Sequence, residues 1–184
     1  MKQAAVFLDR DGTLNHDPGY LGDAARFRFL PGAVDAVRRL KEAGYRVFVV
    51  SNQSGIARGF FDEEDLRRVH DRMAAGLREA GVALDGIFYC PHLPEARCRC
   101  RKPSPRMVLD AAARYDIDLA RSYFVGDRRS DIETGIHAGC GTILVLTGAG
   151  EETQAELGAK RLSDHVAADL AAAADWILSR DPAR

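Results

Sequence analysis

The stretch Ala4-Ala5-Val6-Phe7-Leu8-Asp9-Arg10-Asp11-Gly12-Thr13 decides the fold. Its apolar first half, residues 4–8, predicts a buried β-strand, and two carboxylates follow at the end of that strand. In an extended segment the side chains of Asp9 and Asp11 point to the same face, and Gly12 lets the backbone turn away behind them. Carboxylates this close repel each other, so the pair predicts a divalent metal, unequal protonation or both. A solvated turn or a helix N-cap is the alternative for such a pair.

Composition restricts the classes of protein to which the chain can belong. The 184 residues, 46% of them hydrophobic and 29% charged, suit one globular domain over residues 1–184. The net charge of -1 is not typical of a protein that binds nucleic acid or an anionic membrane. No apolar run approaches the roughly 20 residues of a membrane span, and the N-terminus has no signal-peptide pattern. We therefore expect a cytoplasmic protein that binds neither nucleic acid nor a membrane, and we also expect it to be a monomer.

Apolar runs rich in β-formers alternate with amphipathic helical stretches along the chain. Residues 47–50, Val-Phe-Val-Val, have the continuous apolar character of a strand buried on both faces. The predicted strands cover residues 4–8, 45–50, 86–89, 123–125 and 142–146, with a peripheral strand near Val166. The predicted helices cover residues 34–43, 63–80, 105–115, 131–138 and 170–179. The alternation indicates an α/β fold, a three-layer, Rossmann-like parallel sheet with helices on both faces.

Polar clusters follow three of the predicted strands, at the points where those strands end. Residues 51–54, Ser-Asn-Gln-Ser, follow the second strand, Lys102 comes after the third, and Asp127 and Asp131 follow the fourth. Taken singly, each is typical of a turn, a solvated charge or a helix N-cap. Because ligands of parallel sheets bind at the carboxyl ends of the strands, we expect these clusters to meet the first pair of carboxylates. A hydroxyl, an ammonium and several carboxylates suit phosphoryl transfer with a magnesium ion.

The order and spacing of these motifs resemble those of the haloacid dehalogenase superfamily of phosphatases. The motifs are Asp9-x-Asp11-Gly12-Thr13, Ser51, Lys102-Pro103 and Gly126-Asp127-x-x-Ser130-Asp131, spread over roughly residues 4–146. The resemblance implies that Asp9 forms an aspartyl phosphate, and that Asp11 protonates the leaving alkoxide and then activates water. It implies that Ser51 and Lys102 contact the phosphoryl oxygens. The implied Mg²⁺ ligands are the Asp9 carboxylate, the Asp11 backbone carbonyl and the Asp127 carboxylate, with Asp131 orienting bound water or Lys102 from behind.

A second cluster lies after the third predicted strand, in Cys90-Pro91-His92 and Cys98-Arg99-Cys100. Three thiolates and one imidazole suit a tetrahedral structural zinc ion, with Cys90, His92, Cys98 and Cys100 as its ligands. Unpaired thiols and a disulfide are the alternatives. A Cys-x-Cys disulfide would be strained, and a reducing compartment disfavours it. Cys140, which lies between two glycines, is expected to be a small core residue.

The zinc loop, residues 90–100, narrows the resemblance within the superfamily. Cys-x-His and Cys-x-Cys followed at once by Arg-Lys-Pro is similar to the D-glycero-D-manno-heptose 1,7-bisphosphate phosphatase group, which shares this pattern with histidinol-phosphate phosphatases. The resemblance implies cleavage of the 7-phosphate of a heptose used in lipopolysaccharide or glycoprotein synthesis. Between Ser51 and Lys102 there is no room for a cap domain, so we expect rim loops to set specificity. The implied substrate contacts are Arg10, Asp17, Pro18, Gly19, Tyr20, Asn52, Gln53, Ser54, Arg101 and Arg128.

Three competing functions stay open at this point. A histidinol-phosphate phosphatase would share the motifs, although an amine-bearing substrate would prefer more acidic rim residues. A nucleic-acid end phosphatase would share the core, but the balanced charge argues against it. A signalling receiver that stores an aspartyl phosphate is disfavoured by Asp11, because an acid beside the phosphorylated carboxylate hastens hydrolysis.

Arg128 stands where some relatives have lysine. The positive charge is the same, but the hydrogen-bond geometry of a guanidinium differs from that of an ammonium.

Overall fold

Six parallel strands form one sheet in the order β3-β2-β1-β4-β5-β6. The computed structural model describes residues 2–158 and 162–180. The strands are β1 (Ala5–Leu8), β2 (Arg46–Asn52), β3 (Gly86–Cys90), β4 (Tyr123–Gly126), β5 (Gly141–Val145) and β6 (His165–Ala167). Each predicted strand is present, with bounds that differ by at most two residues. The parallel α/β sheet that the alternation predicted is confirmed.

Helices cover both faces of this sheet. They are α1 (Ala33–Glu42), α2 (Glu63–Glu79), α3 (Arg106–Tyr115), α4 (Arg129–Ala138), α5 (Gly150–Leu157) and α6 (Leu170–Ser179). Five of the six were predicted, and α5 was not. Its only buried residues are Gly150 and Thr153, so no apolar stripe in the sequence marks it as a helix.

The core lies in two layers, one on each face of the sheet. Val47 and Val49 belong to the layer that α1, α2 and α6 cover, whereas Phe48 and Val50 belong to the layer that α3 covers. All four side chains are fully buried, as the continuous apolar run predicted. Cys140 is a buried member of the second layer, so its predicted core role is confirmed.

Local sequence chemistry accounts for where two of the helices begin and end. At the start of α2, the Asp62 side chain accepts a hydrogen bond from the Asp65 backbone N–H at 2.8 Å, and the Asp65 carboxylate accepts one from the Asp62 N–H at 3.1 Å. At the end of α4, Gly139 has φ of 79°, a left-handed conformation that glycine adopts without a Cβ clash. Within residues 2–158 and 162–180, no helix combines the length and the hydrophobicity needed to cross a bilayer.

The strand order reverses between β1 and β4, and this reversal opens a crevice at their carboxyl ends. From the end of β2 to Lys102 the chain forms α2, β3 and a loop whose regular structure is one 3₁₀ turn at Pro94–Ala96. No element in the described part of the chain forms a separate lid over the crevice, in agreement with the predicted lack of a cap domain.

Candidate active site

The carboxyl ends of β1, β2 and β4 meet at a polar cavity of about 230 Å³. Asp9 directly follows β1, Ser51 and Asn52 end β2, and Asp127 follows β4, where it is fully buried. The predicted site residues that line this cavity are Asp9, Asp11, Asp17, Gly19, Tyr20, Ser51, Asn52, Ser54, Arg101, Lys102, Arg128 and Asp131. Ser130, which was not among the predicted contacts, lines it as well.

A buried ammonium lies between two carboxylates at the base of the site. Lys102 Nζ is 2.7 Å from Asp9 Oδ1 and 2.6 Å from Asp131 Oδ1, and it donates to the Val50 carbonyl at 2.8 Å. Burial alone would lower the pKa of Lys102, but the charges of Asp131 and Asp9 raise it, so the side chain is ammonium near pH 7. Burial raises the pKa of Asp9 well above its usual range, with Asp131 adding to the effect and Lys102 opposing it.

Asp127 has a carboxylate oxygen that no protein group satisfies. Its Oδ2 accepts a hydrogen bond from the Ala149 backbone N–H at 2.8 Å, whereas its Oδ1 is buried and has no hydrogen-bond partner. Burial and the charge of Asp131 raise the pKa of Asp127 to about 6. Single carboxylate oxygens of Asp9, Asp127 and Asp131 lie within 4.8 Å of one another. An orphaned oxygen among three acids is a place where a divalent cation would be strongly favoured.

Two glycines allow the backbone to close against Asp127. Gly12 has φ of 83°, and a Cβ added there would lie 2.3 Å from Asp127 Oδ2. A Cβ on Gly148 would lie 2.4 Å from the same oxygen. Any side chain at either position would displace the carboxylate, so the glycine after Asp11 in the first motif serves the site as well as the turn.

Asp11 lines the cavity, and its carboxylate is held by three side chains. Arg10 Nη2 donates to its two oxygens at 2.8 and 2.7 Å and Arg10 Nε donates at 3.0 Å, while Asn15 Nδ2 and Gln53 Nε2 each donate at 2.9 Å. Burial raises the pKa of Asp11, but Arg10 and the hydrogen bonds outweigh burial and lower it overall. The Asp11 side chain remains 19% exposed. Asn15 was not predicted as a site residue, although its place four residues after Asp11 could have suggested the contact.

Three of the predicted substrate contacts are not on the cavity wall. Arg10 is fully buried with its guanidinium on Asp11, and Gln53 is buried with its amide on Asp11 and on Ser51 Oγ, the latter at 2.6 Å. Pro18 is likewise absent from the wall, although its neighbours reach it. For Arg10 the physical reason is that a side chain between two cavity-facing acids in an extended segment points the other way, into the protein.

The other rim residues surround the mouth of the cavity. Arg128 Nη2 pairs with Asp17 Oδ2 at 3.0 Å, and Arg101 Nη1 donates to the His92 carbonyl at 3.1 Å. Asn52 braces the backbone of Lys102, because its Oδ1 accepts from the Lys102 N–H at 3.0 Å and its Nδ2 donates to the Lys102 carbonyl at 3.2 Å. Arg129, in contrast, pairs with Glu133 on the exposed face of α4.

The zinc loop brings its four predicted ligands together. The three Sγ–Sγ distances are 3.5 Å for Cys90–Cys98, 3.0 Å for Cys90–Cys100 and 3.6 Å for Cys98–Cys100, too long for a disulfide bond. His92 Nδ1 lies 3.5 Å from Cys90 Sγ and 3.3 Å from Cys100 Sγ. Sulfurs around a tetrahedral zinc ion lie about 3.8 Å apart. The cluster therefore fits zinc, with Nδ1 as the imidazole ligand.

Comparisons with known proteins agree with this geometry. The HAD-hydrolase-like family matches residues 99–173. The D-glycero-beta-D-manno-heptose-1,7-bisphosphate 7-phosphatase of Photorhabdus laumondii is 44% identical over 171 residues, which cover 89% of this chain and 91% of that protein. The enzyme of the same name from Escherichia coli K12 is 42% identical over 183 residues, which cover 95% of this chain and 88% of that protein.

The fold of this chain is also similar to that of a solved structure. The crystal structure of D,D-heptose 1,7-bisphosphate phosphatase from B. bronchiseptica, complexed with magnesium and phosphate, matches with a TM-score of 0.90 and 42% identity. The match covers 98% of this chain and all of that one. Since these alignments cover nearly the whole length of both proteins at 42–44% identity, the chain belongs to the D-glycero-beta-D-manno-heptose-1,7-bisphosphate 7-phosphatase family of HAD-like hydrolases.

Proposed function

We propose that the chain is a magnesium-dependent phosphatase that hydrolyses the 7-phosphate of D-glycero-D-manno-heptose 1,7-bisphosphate, giving heptose 1-phosphate and inorganic phosphate. The observation that carries the proposal is the buried Lys102 ammonium held between Asp9 and Asp131 at the cavity. The relatives named above, similar over nearly their whole length, support the substrate. The enzyme acts as a single-domain monomer in the cytoplasm, without a nucleic-acid or membrane partner.

The first step transfers the phosphoryl group to Asp9. A carboxylate oxygen of Asp9 attacks phosphorus and forms a P–O bond, while the bond between phosphorus and the sugar oxygen breaks. The departing alkoxide takes a proton from Asp11, which enters this step as the carboxylic acid. A carboxylate approaching a phosphate dianion meets repulsion of about 4 kcal/mol per charge pair at 4 Å and an effective dielectric of 20. Lys102 and Ser51 oppose that repulsion by binding the non-bridging oxygens.

The second step releases phosphate from the aspartyl phosphate. Asp11, now a carboxylate, takes a proton from a water molecule whose oxygen attacks phosphorus. The bond between phosphorus and the Asp9 oxygen breaks, so the Asp9 carboxylate and protonated Asp11 are both regenerated. The hydrogen bonds that Arg10, Asn15 and Gln53 donate to Asp11 stabilise the carboxylate form that this step requires.

The acidic residues at the base of the site fit a magnesium ion. Carboxylate oxygens are the ligands that Mg²⁺ prefers, and the buried Oδ1 of Asp127 has no other partner. Asp9, Asp127 and the Asp11 carbonyl would hold the ion, while Asp131 keeps Lys102 in place. When bound, the ion neutralises charge on the phosphoryl oxygens.

Cations on the cavity wall favour a substrate with a second phosphate over one with an amine. Arg101 and Arg128 both line the cavity, and guanidinium groups suit phosphate and vicinal hydroxyl groups. Histidinol phosphate carries a positive amine that these side chains would repel. The decisive experiment is a steady-state comparison of both anomers of the heptose bisphosphate with fructose 1,6-bisphosphate and histidinol phosphate. A higher kcat/KM for histidinol phosphate would refute the proposed substrate.

Arg101→Ala is expected to lower kcat/KM for the heptose bisphosphate about tenfold, because a charge-assisted hydrogen bond to the distal part of the substrate is lost. A p-nitrophenyl phosphate assay should change less than twofold, since this substrate has no second phosphate. Arg99→Ala is the matched control, because Arg99 is in the same loop and outside the cavity wall. Equal losses for the two substrates would rule out a specificity role for Arg101.

Removal of the zinc ligands should impair catalysis indirectly. We expect purified protein to contain close to one zinc per chain, and Cys98→Ser to lose most of it, together with several degrees of melting temperature. Activity should fall because the Arg101 and Lys102 segment follows the cluster directly. Metal analysis and thermal melts test this, with Cys140→Ala as the control that retains zinc. A zinc-free wild type with freely titrating thiols would contradict the assignment.

A further inference from the structure

His70 is a partly buried histidine that the proposed mechanism does not use. It lies on α2, and its Nε2 is 3.4 Å from Nη1 of Arg10. Its ring packs edge-on against Tyr89, with 5.8 Å between ring centroids. Burial, with the charge of Arg10 added, lowers the pKa of His70 to about 4. The ring is therefore neutral near pH 7, and a neutral imidazole with its proton on Nδ1 accepts a hydrogen bond at Nε2.

Arg10 uses its donors on three side chains. Nε and Nη2 both donate to the Asp11 carboxylate, and we call this bidentate pair of hydrogen bonds the fork. Nη2 also lies 3.4 Å from Gln53 Oε1, and Nη1 lies 3.4 Å from His70 Nε2. The whole Arg10 side chain is buried, with 0% exposure. Its ion-pair partner among the described residues is Asp11. A buried guanidinium with donors left unpaired is costly, so each of these acceptors restrains the plane of the fork.

The plane of the fork decides how Asp11 faces the cavity. Because a guanidinium is rigid and planar, two parallel hydrogen bonds set the plane of the carboxylate that accepts them. Asp11 and Arg10 are neighbours in one turn, whereas His70 belongs to a helix that the core holds through Val69 and Met73. The helix therefore provides a fixed point from which the direction of the guanidinium can be set.

We propose that His70 is a positioning residue, which by accepting the hydrogen bond from Arg10 Nη1 holds the guanidinium in the plane that presents Asp11 to the cavity. This inference rests on the proposed function, in which Asp11 exchanges protons with the alkoxide and with water. His70 does not line the cavity, so its removal acts on proton transfer and not on substrate binding.

The first test separates kcat from KM. His70→Leu keeps similar volume without the acceptor, and we expect kcat for the heptose bisphosphate to fall about tenfold while KM changes less than twofold. His70→Gln, whose side-chain oxygen reaches the position of Nε2, should recover most of the loss. Val69→Ala is the control, because it removes core packing from the same helix and leaves the imidazole acceptor for Arg10 in place. A kcat for His70→Leu no lower than that of Val69→Ala, a loss that falls on KM, or no recovery in His70→Gln would overturn the inference.

The second test uses a leaving group that departs without a proton. With p-nitrophenyl phosphate the first step no longer needs Asp11, whereas hydrolysis of the aspartyl phosphate still does. His70→Leu should therefore show a burst of about one nitrophenolate per active site, larger than that of wild type. If His70→Leu does not fold, Arg10→Lys takes its place in this measurement. It keeps the charge and loses the bidentate hydrogen bonds to Asp11, so it should show the same burst. A steady rate without a burst in the folded variant would count against the inference.

The two proposals fail in different ways. If wild type cleaves p-nitrophenyl phosphate and not the heptose bisphosphate, the proposed substrate is wrong, and the burst measurement still decides the role of His70. If wild type cleaves the heptose bisphosphate with high efficiency and His70→Leu behaves like Val69→Ala, the proposed function stands and the positioning role of His70 is wrong.

Discussion

Asp9→Asn is expected to abolish turnover while the fold survives. The amide is not nucleophilic enough to form the acyl phosphate, so kcat should fall roughly 10⁴-fold or more. The fold should persist because the exchange is isosteric and because Lys102 keeps Asp131 as its partner. Phosphate release measures the first effect, and thermal unfolding followed by circular dichroism measures the second.

Asp110→Asn is the matched control for this experiment. It is the same isosteric exchange on the exposed face of α3, where Asp110 pairs with Arg106, so wild-type activity is expected. Retention of more than a few per cent of activity in Asp9→Asn would refute the nucleophile assignment. Asp11→Asn complements it when p-nitrophenyl phosphate is the substrate, because its leaving group departs without a proton, and a variant that cannot activate water should then accumulate phosphate on Asp9. Failure to trap labelled phosphoenzyme in that variant by acid quench would count against covalent catalysis.

Lys102→Met is expected to reduce both activity and stability. Activity should fall roughly 10³-fold, since the ammonium that opposes charge on the phosphoryl group is lost. Stability near pH 7 should fall by about 3 kcal/mol, because Asp9 and Asp131 become buried charges without their cation. The deficit should shrink as the pH is lowered. Burial raises the pKa of Asp9 above its unfolded value, and in the variant Lys102 no longer opposes this effect, so protonation of Asp9 at low pH favours the folded form.

The double variant Lys102→Met with Asp131→Asn separates the two effects. Removing one of the two acids relieves the repulsion, so urea unfolding at pH 7 should recover part of the lost stability. Activity should stay at the level of Lys102→Met, because the ammonium is still missing. A double variant no more stable than Lys102→Met would show that repulsion between Asp9 and Asp131 is not the cause, and wild-type activity in Lys102→Met would remove the lysine from the mechanism.

Most of the fold could be predicted because local hydrophobic patterns in the sequence indicate its strands and helices. Residues 47–50 form an apolar run that suits burial on both faces, and the structure places alternate side chains in the two core layers. α5 shows the limit of this reasoning. It is a polar helix that begins at Gly150 and buries only two residues. Its position therefore depends on where β5 ends, since α5 itself has no apolar pattern.

Motif order and chemistry predicted which residues would meet at the strand ends, but not how their hydrogen bonds would be shared. Arg10 lies in the first motif and was expected to touch substrate. The structure turns it into the protein, where it holds Asp11. His70 carries no motif and lies 60 residues away from Arg10. No periodic pattern in the sequence predicts a contact over that separation, because the packing of α2 against the sheet creates it.

The sequence by itself determined the parallel α/β architecture, and it predicted which acids and which lysine would meet at the strand ends and which three cysteines and one histidine would cluster in the loop. Each of these depends on residue type and on alternation along the chain, which are local. Only the tertiary structure decided that Lys102 lies between Asp9 and Asp131, that one oxygen of Asp127 is left for a cation, and that Asp11 is held from behind. Those are relations between side chains on separate elements, and the distances among them exist only once the strands have paired and the helices have packed.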